Sequence, residues 1–112
     1  MSDPEATVRA YYAALDEGAY DEFDELLVPE FVQRRPDRAF EGREAFVAFM
    51  RDDRPMTDTT HELDAVFVGD EREEVAVRGR LLDADGDMLF PFVDVHELTV
   101  DGRIERLETF TQ

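Results

Sequence analysis

The residues best suited to moving protons in this chain are Asp94, His96, Tyr11 and Tyr12. Asp94 sits in the mostly apolar run Phe-Pro-Phe-Val-Asp-Val-His-Glu-Leu, from Phe90 to Leu98, with His96 two residues further on. A carboxyl kept from water resists ionisation, so a covered Asp94 acts as a hydrogen-bond donor or general acid near neutrality. The plainer alternative is an ionised Asp94 that caps a loop or pairs with an arginine. Tyr11 and Tyr12 share a helical face with Val8 and Leu15, and a buried phenol needs a partner for its hydroxyl. His61 is the only other imidazole, at the start of a strand whose faces nothing nearby fixes. His61, Asp94 and His96 are metal-ligand types, but their spacing fixes no geometry. Asp83-Ala84-Asp85-Gly86-Asp87 has its glycine too early for an EF-hand loop and strands on both sides, so it reads as a turn. There is no phosphate-binding glycine loop and no serine-centred nucleophile motif. The absence of cysteine removes thiol chemistry, disulfides and zinc–thiolate sites.

The elements that must position these groups divide into two halves. Before His61 the apolar spacing is helical. Asp3 followed by Pro4 fits an N-cap with proline at the first helical position, and Ser2 with Glu5 fits a capping box; Gly18 closes this helix. A second helix is expected from Tyr20 to Leu27, burying Tyr20, Phe23, Leu26 and Leu27, and Pro29 stops it from continuing. Phe31 to Arg35 reads as extended, followed by a brief strand near Ala39-Phe40. Gly42 leads into a third helix with Phe46, Phe49 and Met50 inward. Asp52 to Thr60, with Pro55, reads as a surface loop or a flap. From His61 the pattern alternates to the end: His61–Val68, then Val75, Val77, Gly79 and Leu81, then the final hairpin. Helices first and a long antiparallel meander afterwards give an α+β chain with three N-terminal helices packed on one sheet face.

The hairpin decides what surrounds Asp94. With Asp101-Gly102 as a two-residue type I′ loop, Val100 faces Arg103, Leu98 faces Glu105, His96 faces Leu107, Asp94 faces Thr109 and Phe92 faces Thr111. The opposite surface then pairs Val93 with Phe110, Val95 with Glu108, Glu97 with Arg106 and Thr99 with Ile104. Val93, Val95 and Phe110 form an apolar patch suited to a sheet-to-sheet homodimer.

At 112 residues, 43% of them apolar, the chain is expected to form one domain with a real core over residues 1–112. The formal charge is −17, with arginine as the only strongly basic residue. Acids spread along the whole chain fit a protein adapted to high salt, where ions screen their repulsion; recruitment of a basic partner is the alternative. Such a balance disfavours nucleic acid. No apolar run is long enough for a membrane span, and the first residues lack a signal peptide's pattern, so a cytoplasmic location is expected.

Three stretches, VRAYYAALDEGAYDEFDELLVPEF, FEGREAFVAFM and FPFVDVHELTVDGRIERLETF, resemble the nuclear transport factor 2-like superfamily, including its SnoaL-like cyclases and ketosteroid isomerases. The resemblance implies a cone-shaped α+β roll with an internal pocket, dimerising through the outer sheet face. It places Tyr11 and Asp94 as paired oxyanion donors and implies neither metal nor organic cofactor. His96 joins them as a proton relay, while Arg35, Phe92, Leu107, Thr109 and Tyr12 are expected to contact the ligand. The isomerases' carboxylate base, however, is replaced by Arg35 or its neighbours Gln33 and Arg34. Arginine does not abstract protons at ordinary pH. That argues against steroid-type isomerisation and points to a carbonyl-bearing or anionic ligand, or to an Arg35–Asp94 ion pair. Two functions follow: a cofactor-independent isomerase, cyclase or hydratase, and a non-catalytic binding or dimeric interaction domain.

Overall fold

In a computed structural model describing residues 3–54, 58–70 and 73–111, three helices lie on the inner face of a curved, unclosed six-stranded sheet. Helix α1 spans Pro4–Glu17. Asp3 caps it, its Oδ1 accepting from the amides of Glu5 (3.0 Å) and Ala6 (3.4 Å), and Pro4 takes the first helical position. The Ser2 alternative lies outside the described residues. Gly18 ends the helix at φ 69°, a left-handed conformation that favours glycine. Val8, Tyr11, Tyr12 and Leu15 are all buried, as their spacing predicts.

The second helix is shorter than expected. A 3₁₀ turn over Tyr20–Glu22 runs into α2, Phe23–Leu26, and the chain becomes strand β1 at Leu27, two residues before Pro29. Strand β1 (Leu27–Arg34) pairs antiparallel with β2 (Ala39–Glu41) and parallel with the last strand. Helix α3, Arg43–Ala48, continues as a π-helical turn, Phe49–Asp53. Phe46 and Met50 are buried and Phe49 is half-buried. Of the expected loop, Asp52 and Asp53 belong to that turn, Thr59 is buried, and Pro55 lies outside the described residues.

Strands β3 (Thr60–Val68), β4 (Glu74–Leu82), β5 (Met88–Leu98) and β6 (Ile104–Thr111) form the antiparallel meander, giving the order β2-β1-β6-β5-β4-β3. The parallel β1–β6 contact is the exception to an otherwise antiparallel sheet. Gly79 has a specific task in β4. A Cβ there would lie 2.8 Å from Phe92 Cζ and 2.6 Å from the Glu62 carbonyl oxygen. Its bare backbone lets the Phe92 ring lie across the neighbouring strand.

The β5–β6 hairpin confirms Phe92–Thr111, Asp94–Thr109, His96–Leu107 and the outward Glu97–Arg106 pair, but not the turn. The loop has three residues, Val100 to Gly102. Gly102 is at φ 88°, the Gly102 amide donates to the Thr99 carbonyl, and the Thr99 amide donates to the Arg103 carbonyl. A bulge at Glu105 then restores the predicted register. Leu98 therefore faces Ile104, and both are buried; Glu105 and Val100 are exposed, contrary to their expected inward placement. Burial of Leu98 and Ile104 (4% and 0% exposed) supplies the driving force for this arrangement.

Candidate active site

Between α1, the π-helical turn and the inner sheet face lies a partly open cavity of about 270 Å³. Its walls are mainly apolar: Leu15, Phe49, Met50, Leu81, Phe90 and Phe92, with Leu89 among the exposed ones. The polar lining is Tyr11, Tyr12, Gln33, Thr59, His61, Asp94, Thr109 and Thr111, together with Arg35, Asp37, Arg38 and Arg54.

Asp94 projects from the middle of β5 and is 5% exposed. Its Oδ2 accepts from the Tyr12 hydroxyl at 2.6 Å, and the same hydroxyl lies 2.9 Å from His96 Nε2. Burial raises the Asp94 pKa; the hydroxyls of Thr109 and Tyr12, then the charges of His61 and Arg35, oppose that rise less strongly. Burial, reinforced by Asp94, pushes both Tyr11 and Tyr12 well above the ordinary phenol value, so both hydroxyls keep their protons. Burial likewise depresses the His96 pKa to about 3, leaving a neutral ring with one N–H.

These protonation states give the chain of hydrogen bonds a direction. If Tyr12 donates to Asp94, His96 Nε2–H donates to Tyr12, and the buried Nδ1 is an unmet acceptor. The reverse order leaves a buried Nδ1–H donor without a partner, the costlier defect. In the favoured order Asp94 Oδ2 is the accepting oxygen. A proton held by Asp94 would then sit on Oδ1, which has no hydrogen-bond partner among the described residues.

The structure redistributes several expected roles. Tyr12, expected to touch ligand, is the phenol that holds Asp94. Tyr11, expected to pair with Asp94, lines the cavity with a hydroxyl that makes no hydrogen bond among the described residues. The two are adjacent on α1, so sequence spacing cannot rank them. His96, expected as a proton relay, is fully buried behind Tyr12 and does not line the cavity. Leu107 is also absent from the lining, being fully buried in the core. Phe92, Thr109 and Arg35 do line it. Arg35 is not ion-paired with Asp94: its Nε lies 3.4 Å from Asp37 Oδ1, and Asp37 also bonds Arg38 Nε at 3.2 Å. His61, Asp94 and His96 do not converge as a metal site. Among the described residues the group of carboxylates close enough to do so is Asp83, Asp85 and Asp87, where Asp83 Oδ1 accepts the Asp85 and Asp87 amides as a turn requires.

Other polar lining residues lie outside the set expected to contact ligand. Gln33, inward on β1, donates to Thr109 Oγ1 at 3.0 Å. Thr59 is buried just ahead of β3. Arg54 buries Nε and Nη2 without a partner among the described residues. His61 is held by Asp16 of α1: Nδ1 lies 2.6 Å from Asp16 Oδ1, and the His61 amide donates to Oδ2 at 3.0 Å. The available signal for this pair was Asp16 standing one helical turn after Tyr12, on the same face of α1.

A sheet curled over three helices is the architecture of the nuclear transport factor 2-like α+β proteins. Within that class, the SnoaL-like domain family model matches residues 8–107, and the chain belongs to that family. Solved structures agree on the fold. A nuclear transport factor 2-like protein of unknown function from Cytophaga hutchinsonii superposes with TM-score 0.82 at 16% identity, covering 100% of this chain and 92% of the other. A protein assigned as a SnoaL-like polyketide cyclase from Jannaschia gives 0.80 at 22% identity, over 98% and 85% of the two chains. One assigned as a ketosteroid isomerase from Kribbella flavida gives 0.79 at 24%, over 98% and 78%. No curated protein matches the sequence. No helix among the described residues is long and apolar enough to cross a membrane.

Proposed function

We propose that this protein is a small-molecule enzyme of isomerase, cyclase or hydratase type that uses its own side chains for acid–base chemistry on an apolar ligand carrying a carbonyl. The observation that carries this reading is Asp94: buried in the cavity lining, one oxygen held by Tyr12, the other without a partner. A neutral carboxyl so placed donates to a carbonyl oxygen and strengthens that bond as the oxygen gains charge. Tyr11 supplies a second donor, Thr109 and Phe92 shape the site, and His96 fixes Tyr12 from behind. The unmet guanidinium N–H groups of Arg54, with Arg35 and Arg38 sharing Asp37, favour a ligand bearing an anionic group as well.

The test is calorimetric titration with a series of substituted phenols, whose oxygen mimics an oxyanion. The wild type is expected to bind more tightly as the phenol becomes more acidic, and Asp94→Asn and Tyr11→Phe each to lose about tenfold or more, roughly 1.4 kcal/mol. Equal binding by the wild type and both variants overturns the donor role.

The second reading, a non-catalytic binding or interaction domain, draws on Arg35 at the position where the resemblance expects a base. It shares the outer sheet face, on which Phe67, Val93 and Phe110 are exposed beside half-buried Val95. We assign that patch to a homodimer contact. Phe110→Asp is expected to give a monomer by light scattering, and an unchanged mass removes the assignment.

A further inference from the structure

The donor end of the cavity is accounted for, but a proton-transfer site also needs an acceptor, and Arg35 cannot be one. The polar lining offers a different group. His61 is at the start of β3, half-buried, with its ring 5.3 Å from the Tyr12 ring and 5.7 Å from Phe92, two residues that line the same cavity. Both Asp16 oxygens are taken by His61, Oδ2 by its amide and Oδ1 by its Nδ1. A carboxylate only accepts, so Nδ1 carries the proton. Nε2 then bears the lone pair, and among the described residues nothing is hydrogen-bonded to it.

We propose that His61 is the general base of this pocket, with Asp16 as its positioning residue, and that it removes a proton from the carbon beside a carbonyl held by Asp94. This rests on the donor reading of Asp94 given above. The step is balanced within the site. The C–H bond breaks and its proton goes to His61 Nε2; the electron pair forms the enol C=C, and the carbonyl π pair moves onto the oxygen that accepts from Asp94 Oδ1–H. Return of the proton to the same or another carbon completes an exchange or an isomerisation. The other groups on this pair are Asp94, whose ionisation His61's charge favours, and the Tyr12 phenol; Arg35 acts on Asp94 and, with Arg54, on Tyr11. Imidazole is a weak base toward carbon. The substrate class is therefore an activated ketone, its α-carbon next to an aromatic ring or a second carbonyl, small enough for a cavity of about 270 Å³.

Two measurements test this. In ¹⁵N-histidine-labelled wild-type protein there are only two imidazoles to observe. Near pH 8 His61 is expected as the Nδ1–H tautomer and His96 as the Nε2–H tautomer, and Asp16→Asn is expected to release His61 from its single form. An Nε2–H tautomer at His61 overturns the proposal whether or not any variant folds. In D₂O, loss of the aryl-side α-proton signal of 2-tetralone is expected to be at least about tenfold faster with the wild type than with His61→Gln, and intermediate with Asp16→Asn. Exchange no faster than without protein, or equal in wild type and His61→Gln, overturns the base role. If Asp94→Asn still weakens phenol binding in that case, the donor reading survives and only the dyad is lost.

Discussion

The same tripeptide, His-Glu-Leu, occurs at residues 61–63 and 96–98, and the fold makes opposite things of its two histidines. His96, mid-strand in β5, is sealed between α1 and the sheet; its single N–H is spent on Tyr12, and burial holds it neutral. His61, at the open end of β3, keeps some exposure, and its partner is an acid. One ring is a structural strut that orders a phenol and a carboxyl, and the other is equipped to exchange protons. The difference lies in what is packed around each ring, which is why chemistry cannot be assigned from residue type alone.

The largest expected contrast is with pH. The His96 pKa is about 3 in the folded state against 6.5 unfolded, so the unfolded chain binds its proton first as pH falls. The stability associated with a neutral His96 is therefore present above pH 6.5 and lost progressively between 6.5 and about 3, by up to roughly 5 kcal/mol. Urea unfolding at stepped pH is expected to show this limb in the wild type and in His61→Gln, but not in His96→Gln. Its persistence in His96→Gln would assign the limb to carboxylates and erase the contrast. Next in size, His96→Ala is expected to cost about 3 kcal/mol or more, because it leaves a cavity and strands the Tyr12 hydroxyl. His61→Ala is expected to cost only about 1 kcal/mol. Equal losses would mean that the Asp16–His61 pair is chiefly a clamp between α1 and β3. The smallest effect concerns Asp94, which ties the two surroundings together. Its folded pKa is raised, so the stability it contributes is complete below the ordinary aspartate range and lost as pH rises through the folded value. Asp94→Asn is expected to remove that loss, which a difference between the two pH–stability curves measures.

Much of this arrangement is legible in the amino-acid sequence. The Asp3–Pro4 cap, the Val8-Tyr11-Tyr12-Leu15 face and the pairing of Asp94 with Thr109 follow from local rules: capping chemistry, helical period and strand alternation. What was not readable depends on contacts distant in sequence. The parallel β1–β6 pairing joins Val32 to Arg106, and nothing local to either strand encodes the partner. His61 faces Asp16 because α1 crosses the start of β3, 45 residues further along the chain. Tyr11 and Tyr12 are neighbours on one helix, and only the packed sheet decides which phenol reaches Asp94. The misread turn has a different cause. Asp-Gly suits both a two-residue loop and the end of a three-residue loop, and burial of Leu98 against Ile104 selects the longer form.

That hairpin also carries a rule of parity. Each added residue in a strand exchanges its inward and outward sides, and the chain here makes two such changes, one in the loop at Val100 to Gly102 and one at the Glu105 bulge. Together they cancel, so everything from Glu97 back to Phe92 is faced as if neither existed. Position 100 is thus free to vary in residue type, since Val100 is 93% exposed. The loop is not free to vary in length by one, unless the bulge is gained or lost with it. A lone deletion there slips β5 against β6 by one residue, so that Asp94 and Thr109 no longer stand opposite each other.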